Sequence, residues 1–428
     1  MTTASTAQDA APSTGASRWS QLFFGIICMV MIANLQYGWN LFVDPIDAKH
    51  HWGRAEIQVA FTLFVLTETW LIPVEGWFVD RYGPRLVVAF GGIMVAIAWT
   101  IDSFASSLVA LYAAAIISGI GAGAVYGTCV GNALKWFSDR RGLAAGLTAA
   151  GFGAGAALTV VPIRDAIGSF GYENAFLWFG LGQGIVILAL SQFLRAPTAT
   201  QAKLATPGRV AQTLRNYSVG EMLRQPLFWV MYAMFVLVAA GGLIATAQLA
   251  SIAKDFGVAE APVYLMGFAF ATLTLALTVD NVLNGLARPF FGWVSDQIGR
   301  EQTMFIVFSL GALSILGLGY LGATPALFIL FSGAVYFTWG EIYSLFPSMC
   351  TDAFGTKNAA TNAGALYTAK GTASLLVPLA SFLTQATGNW HAVFVVATLM
   401  NAVAAVMALF VLKPMRMAHL KKSAAMEG

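Results

Sequence analysis

Long apolar blocks alternate with short polar ones along almost the whole of this 428-residue chain. Leu22 to Ala33, Leu86 to Thr100 and Ala392 to Leu412 are examples. With their flanks they approach the roughly 20 residues that an α-helix needs to cross a hydrocarbon layer. Read throughout, the pattern predicts spans at 21–43, 56–78, 86–102, 107–134, 142–163, 174–194, 226–252, 263–294, 303–322, 326–350, 358–384 and 391–412. The fold class is therefore an all-α membrane protein of twelve transmembrane helices, and an even number puts both termini on one face. Glycines recur every four residues in span 4 (Gly119, Gly123, Gly127, Gly131), and span 5 has Gly142, Gly146 and Ala150. That spacing lets helix backbones approach closely.

One polar interruption occurs twice. Gly76-Trp77-Phe78-Val79-Asp80-Arg81-Tyr82-Gly83, after span 2, returns half a chain later as Gly292-Trp293-Val294-Ser295-Asp296-Gln297-Ile298-Gly299, followed by Arg300. Two pseudo-symmetric six-helix bundles are the simplest source of such a repeat. The expected organisation is a tail (1–20), a first bundle (21–194), a polar basic linker (195–225) in which 218–223 forms a short helix, a second bundle (226–412) and a tail (413–428). The first apolar run continues into Asn34-Leu35-Gln36-Tyr37 and reads as a retained helix, not a cleaved signal.

Composition narrows the function classes. Apolar residues make up 58% of the chain and charged residues 10%, far from the roughly 25% charge of soluble domains. Basic residues gather on the face carrying the termini, at Arg18, Arg81, Arg85, Lys135, Arg140, Arg141, Arg300, Lys357, the linker and the tail. Only Lys49, Arg54, Arg164 and Lys254 lie opposite. By the positive-inside rule both termini are cytoplasmic. No basic run suits nucleic acid. Cys28, Cys129 and Cys350 lack disulfide or metal spacing, and Gly151-Phe152-Gly153-Ala154-Gly155 follows no strand, which argues against a dinucleotide loop. No metal, cofactor or enzymatic activity is expected.

Two basic residues fall inside spans: Arg288 in span 8 and Lys370 in span 11. A charge at the bilayer centre costs roughly 2.5–3.5 kcal/mol on insertion scales, so such groups normally face a polar interior or a substrate path. Either they bind an anion or they are neutralised by acids that merely hold helices together. Glu68 and Glu75 in span 2, Asp280 in span 8 and Glu341 in span 10 are the available acids. Asp280 stands two helical turns from Arg288 with Asn284 between them. Aromatic residues share these helices: Tyr336, Trp339 and Tyr343 in span 10 and Tyr367 in span 11. Gln36, Tyr37 and Asn40 in span 1, Gln58 in span 2 and Tyr126 in span 4 complete a possible cage, whose apolar walls would strengthen the attraction between the cations and a carboxylate.

The paired loops and two six-helix halves look like the major facilitator fold. Within it, Asn34-Leu35-Gln36-Tyr37, Ala60-Phe61-Thr62-Leu63, Phe78-Val79-Asp80-Arg81-Tyr82-Gly83-Pro84-Arg85, Asn284-Gly285-Leu286-Ala287-Arg288-Pro289-Phe290, Phe337-Thr338-Trp339-Gly340, Leu345-Phe346-Pro347-Ser348 and Ala369-Lys370-Gly371-Thr372-Ala373-Ser374 resemble the oxalate/formate antiporter family. The resemblance implies that Arg288 and Lys370 hold the carboxylates of a small anion, with Tyr37, Tyr126, Trp339, Tyr343 and Tyr367 around it and Gln36 and Gln58 as polar helpers. It departs at Phe152, where the family has tyrosine, at Tyr367, where it has tryptophan, and at the acids Glu68, Glu75, Asp280 and Glu341.

The acids bear on which anion is carried. Both cations unpaired would suit a dianion such as oxalate; an offset by Asp280 or Glu341 would suit a monocarboxylate, and a buried carboxylate could also carry a proton. Oxalate/formate-type exchange is the leading expectation, proton-coupled monocarboxylate transport the alternative and a non-transporting membrane sensor the third. Gly76, Asp80, Arg81, Gly83, Arg85, Gly292, Asp296, Gly299 and Arg300 are expected to gate the terminal face. The expected setting is a bacterial inner membrane, with the lipid bilayer and a small carboxylate as partners and the chain acting as a monomer.

Overall fold

The structure, a computed structural model, describes residues 14–198, 201, 209–265 and 268–425. Most of the expected N-terminal tail and the middle of the linker lie outside the described residues. Nine helices among the described residues are long and apolar enough to cross a membrane, and a pair bent by 41° makes a tenth. Spans 8 and 11 complete the twelve. Span 8 carries Asp280, Arg288 and Asp296, and span 11 is divided into two short helices.

Several spans are interrupted where the pattern suggested continuous helices. Span 1 runs Thr14–Tyr37 and resumes as Asn40–His50. Span 2 is Arg54–Trp70 and Ile72–Tyr82. Pro73 stands at the start of the second piece, where its missing N–H is tolerated and a straight continuation is not. Spans 3 to 6 are Pro84–Phe104, Leu108–Trp136, Arg141–Phe170 and Tyr172–Ser191, and span 7 is Pro226–Asp255. Span 9 is Arg300–Leu321, and span 10 breaks at Gly340 between Pro325–Trp339 and Ile342–Phe354. Span 11 breaks between Ala359–Ser374 and Val377–Thr387. Span 12, His391–Met407, passes through a π-helical turn, Ala408–Leu412, into Lys413–Ala425.

The expected start of span 8 at residue 263 is corrected. Strands β1, Pro262–Leu265, and β2, Phe268–Ala271, pair antiparallel, and the helix begins only at Thr272 and ends at Ile298. Tyr264, Phe268 and Phe270 alternate with smaller residues. A short apolar run of this kind suits a strand as well as a helix, and hydropathy alone does not separate them.

Small residues join the two halves. Spans 5 and 8 meet where Gly142 packs on Gly292 and Gly146 on the Arg288–Pro289 backbone. Spans 2 and 11 meet at Gly76, where an added Cβ would stand 2.7 Å from the Ala360 carbonyl oxygen. Side chains at these points would force the backbones apart. In the linker, Val219–Leu223 is a short helix capped by Ser218, which exchanges hydrogen bonds with Glu221. The Ser218 amide and hydroxyl hold the Glu221 carboxyl below the usual range. The linker is tied to the end of span 10: Thr213 N donates to Asp352 O and Tyr217 N to Phe354 O, both at 2.9 Å.

Candidate functional site

Arg288 is 1% exposed, held in the middle of span 8 where the rest of the helix packs against spans 5 and 10. Nη1 donates to the Ala149 carbonyl of span 5 at 2.6 Å, and Nη2 to Asn284 Oδ1 one turn away at 2.9 Å. Asn284 in turn donates from Nδ2 to the Tyr336 carbonyl at 3.1 Å, so it steers the guanidinium from span 10. Nε has no hydrogen-bond partner among the described residues. The guanidinium carbon lies 4.7 Å from the centre of the Tyr343 ring, within range of a cation–π attraction.

Lys370 is 3% exposed and reaches the same ring from span 11, with Nζ 5.9 Å from its centre. Its ammonium faces Tyr367 Oη at 3.2 Å, Glu68 Oε2 at 3.4 Å and Gln36 Oε1 at 3.5 Å. Glu68, fully buried, comes from the piece of span 2 just before its bend and carries the ion pair across the two halves. Its other oxygen has no hydrogen-bond partner among the described residues.

The walls are aromatic. Tyr126 lies 4.9 Å from Tyr367 and 5.6 Å from Phe152 between ring centres, and Tyr37 lies 5.3 Å from Phe152. Tyr343 is 6.1 Å from Tyr367 and 5.8 Å from Trp339. Phe152, noted in the sequence only as a departure, stands between Tyr37 and Tyr126. Gln58 lies apart: it hydrogen-bonds Asn40 at 3.4 Å. It precedes Glu68 by ten residues, about 15 Å of helix.

The acids separate in a way that spacing could not reveal. Asp280 does not pair with Arg288; its Oδ1 accepts from Ser332 of span 10 at 3.0 Å, and Asn284 bonds elsewhere. Glu341 and Glu75 are buried, and among the described residues neither carboxylate oxygen of either is hydrogen-bonded. Of the acids in the spans, Glu68 is the one in contact with a site cation, whereas the spacing had directed attention to Asp280 and Glu341.

At the terminal face the repeated loops bind across the halves. Asp80 accepts from the Thr361 amide and hydroxyl at 2.9 and 2.6 Å and pairs with Lys135 at 2.6 Å. Asp296 accepts from the Gly142 and Leu143 amides at 3.0 and 2.8 Å and from Arg300 at 2.7 Å. These amides belong to the first turns of spans 11 and 5, where backbone donors are left free and the helix dipole favours a negative charge. Gly83 and Gly299 turn the chain with φ of 86° and 103°, a region open to glycine. Arg81 and Arg85 stay in their own half, exposed, over Trp77 and against Gln192. Asp352, which no motif marks, is the hub: Oδ1 accepts from Arg141 at 2.5 Å and Oδ2 from Arg300 at 2.9 Å.

The model of the Major Facilitator Superfamily matches residues 22–378 of the chain. The protein belongs to that superfamily. Its twelve-helix architecture follows that of the family's solved members: the proton:xylose symporter XylE superposes with a TM-score of 0.69 at 12% identity, covering 94% of this chain and 97% of that one. The fucose:proton symporter FucP of Escherichia coli gives 0.64 at 16% identity, over 91% and 98%. At that identity the likeness concerns the fold. In sequence, the oxalate:formate antiporter of Oxalobacter formigenes is 35% identical over 94% of this chain and 95% of its own. Human monocarboxylate transporter 11 is 26% identical over 92% and 82%. This major facilitator chain is thus a multi-pass membrane protein, and its buried cations lie where its two halves meet.

Proposed function

We propose that this protein is a secondary transporter of small carboxylate anions that works by alternating access. One observation carries the reading: Arg288 and Lys370, from two different spans, converge on the Tyr343 ring while almost wholly buried. Bringing two cations into a bilayer costs roughly 2.5–3.5 kcal/mol each, and an anion offsets that cost. The rings of Tyr37, Tyr126, Tyr343 and Tyr367 lie around the two cations, and such apolar walls strengthen the attraction of a cation for a carboxylate. The similarity to an oxalate:formate antiporter supports a carboxylate cargo and exchange. Without an anion, the uncompensated charge raises the barrier to rocking the halves, which favours exchange of one anion for another.

In this reading both termini are cytoplasmic, in a bacterial inner membrane, and the chain acts as a monomer because one copy holds a complete site. Asp80, Asp296 and Asp352 then latch the cytoplasmic face, while Arg288 and Lys370 hold cargo. A second reading, proton-coupled transport of monocarboxylates, is favoured by the Glu68–Lys370 pair and by the likeness to monocarboxylate transporters.

The test uses purified protein in liposomes loaded with unlabelled oxalate or formate. Labelled anion uptake should follow internal anion, and Arg288→Gln should reduce it by at least about 100-fold, the factor expected for losing a buried charge contact. Lys370→Gln should also impair it. Full uptake by Arg288→Gln, in protein that elutes and melts like the parent, would refute the site.

A further inference from the structure

The two site cations are not equivalent. A lysine ammonium has three donors, and Lys370 already faces three acceptors, Tyr367, Glu68 and Gln36. Arg288 donates to Ala149 O and Asn284 Oδ1 and has the neutral Tyr37 hydroxyl beside it, and its Nε is unpartnered among the described residues. No carboxylate touches the guanidinium among the described residues, because Asp280 is turned to Ser332 and Glu68 to Lys370. One carboxylate of the chain thus sits on Lys370, where one end of a dianion would otherwise bind.

We propose, building on the carboxylate-transport reading above, that Glu68 is a tethered counter-anion for Lys370. It leaves Arg288 as the single uncompensated cation, so the carrier takes small monocarboxylates and accepts a dianion only with a proton on Glu68. The charge balance is simple. With Glu68 ionised the site holds one net positive charge from these three groups, which a formate- or lactate-sized monoanion cancels. When a proton enters and bonds to a Glu68 oxygen, the ion pair is lost and Lys370 is released; the site then holds two positive charges, which a dianion cancels. The proton travels with the dianion and leaves when Lys370 recaptures the carboxylate.

The groups surrounding Glu68 permit that role. Lys370 and Tyr367 face it from span 11, Gln36 adjoins the same ammonium from span 1, Tyr126 and Tyr343 act on it from spans 4 and 10, and Glu75 from the second piece of span 2. Lys370 is the cation in contact with it among these, so the ionised form of Glu68 depends on Lys370. Glu68 also links span 2 to span 11 across the halves, and its protonation would loosen that link as cargo binds.

The experiment compares labelled formate and oxalate uptake in proteoliposomes of the parent, Glu68→Gln, Lys370→Gln and the double variant. The parent should prefer formate at about pH 7.5, and its oxalate uptake should rise at least about tenfold towards about pH 5.5 as Glu68 gains a proton. Glu68→Gln should shift the oxalate-to-formate ratio towards oxalate by at least about tenfold and remove that pH dependence. Lys370→Gln leaves Glu68 buried without its cation and should lose formate uptake; adding Glu68→Gln should restore part of it. The same ratio measured by ligand-induced thermal shift in detergent covers a variant that binds but does not cycle. An unchanged ratio and pH profile in Glu68→Gln would overturn the proposal while leaving carboxylate transport standing. Absence of Arg288-dependent flux of either anion in the parent would overturn both.

Discussion

Asp352→Asn tests the latch at the terminal face. The carboxylate is fully buried between Arg141 at 2.5 Å and Arg300 at 2.9 Å, so it joins the first turn of span 5 to the ends of spans 9 and 10. Asparagine keeps the shape, but it removes the charge and turns an amide donor towards one of the two guanidinium groups. Removing one partner of a buried pair costs about 3–5 kcal/mol. Asp296 still holds Arg300 at 2.7 Å, which places the loss near the lower end. If both arginines reach water once the halves separate, the penalty falls on the closed arrangement alone, and about 3 kcal/mol moves the equilibrium towards opening by roughly 150-fold. The Gly142 and Leu143 amides, bonded to Asp296 in the closed form, report it by hydrogen exchange. Exchange in segment 141–146 should speed up by about two orders of magnitude, while spans 3 and 6, away from the interface, stay protected. Unchanged exchange in that segment would refute the assignment of Asp352 as hub. Loss of protection everywhere would mean general unfolding, which is a different result.

Two further substitutions probe the interface and the site. Gly142→Ala would bring a methyl group into the Gly292 carbonyl; overpacking of about 1–3 kcal/mol should open the same face, with faster exchange of the span 5 amides and slower transport. Asp280→Asn should leave the oxalate-to-formate ratio as it is, because Asp280 bonds Ser332 and not Arg288; the expected cost is about 1 kcal/mol of stability, read as a small drop in melting temperature, and a changed ratio would contradict the geometry.

The spans, their number and the two halves were legible because a bilayer demands long apolar helices, and a repeated loop stands out against them. Arg288 and Lys370 were legible for the same reason: in a chain with 10% charged residues, an ionised group within a span is conspicuous. The breaks in spans 1, 2, 10 and 11 were not, and neither was the β1–β2 hairpin. Each depends on local backbone choices that leave average hydropathy almost unchanged.

The pairing of charges needed the tertiary structure. Along the sequence Asp280 lies two turns before Arg288 in the same span, yet its carboxylate meets Ser332 of span 10 instead. Glu68, 302 positions from Lys370, reaches it because spans 2 and 11 come together across the halves. Asp352 carries no motif and becomes a hub only when spans 5, 9 and 10 converge. The sequence by itself determined that this is a twelve-span membrane protein with two buried cations and a repeated loop, because those features follow from composition and periodicity. Which acid meets which cation was decided by packing between helices, since that depends on rotation and approach that no one-dimensional pattern records.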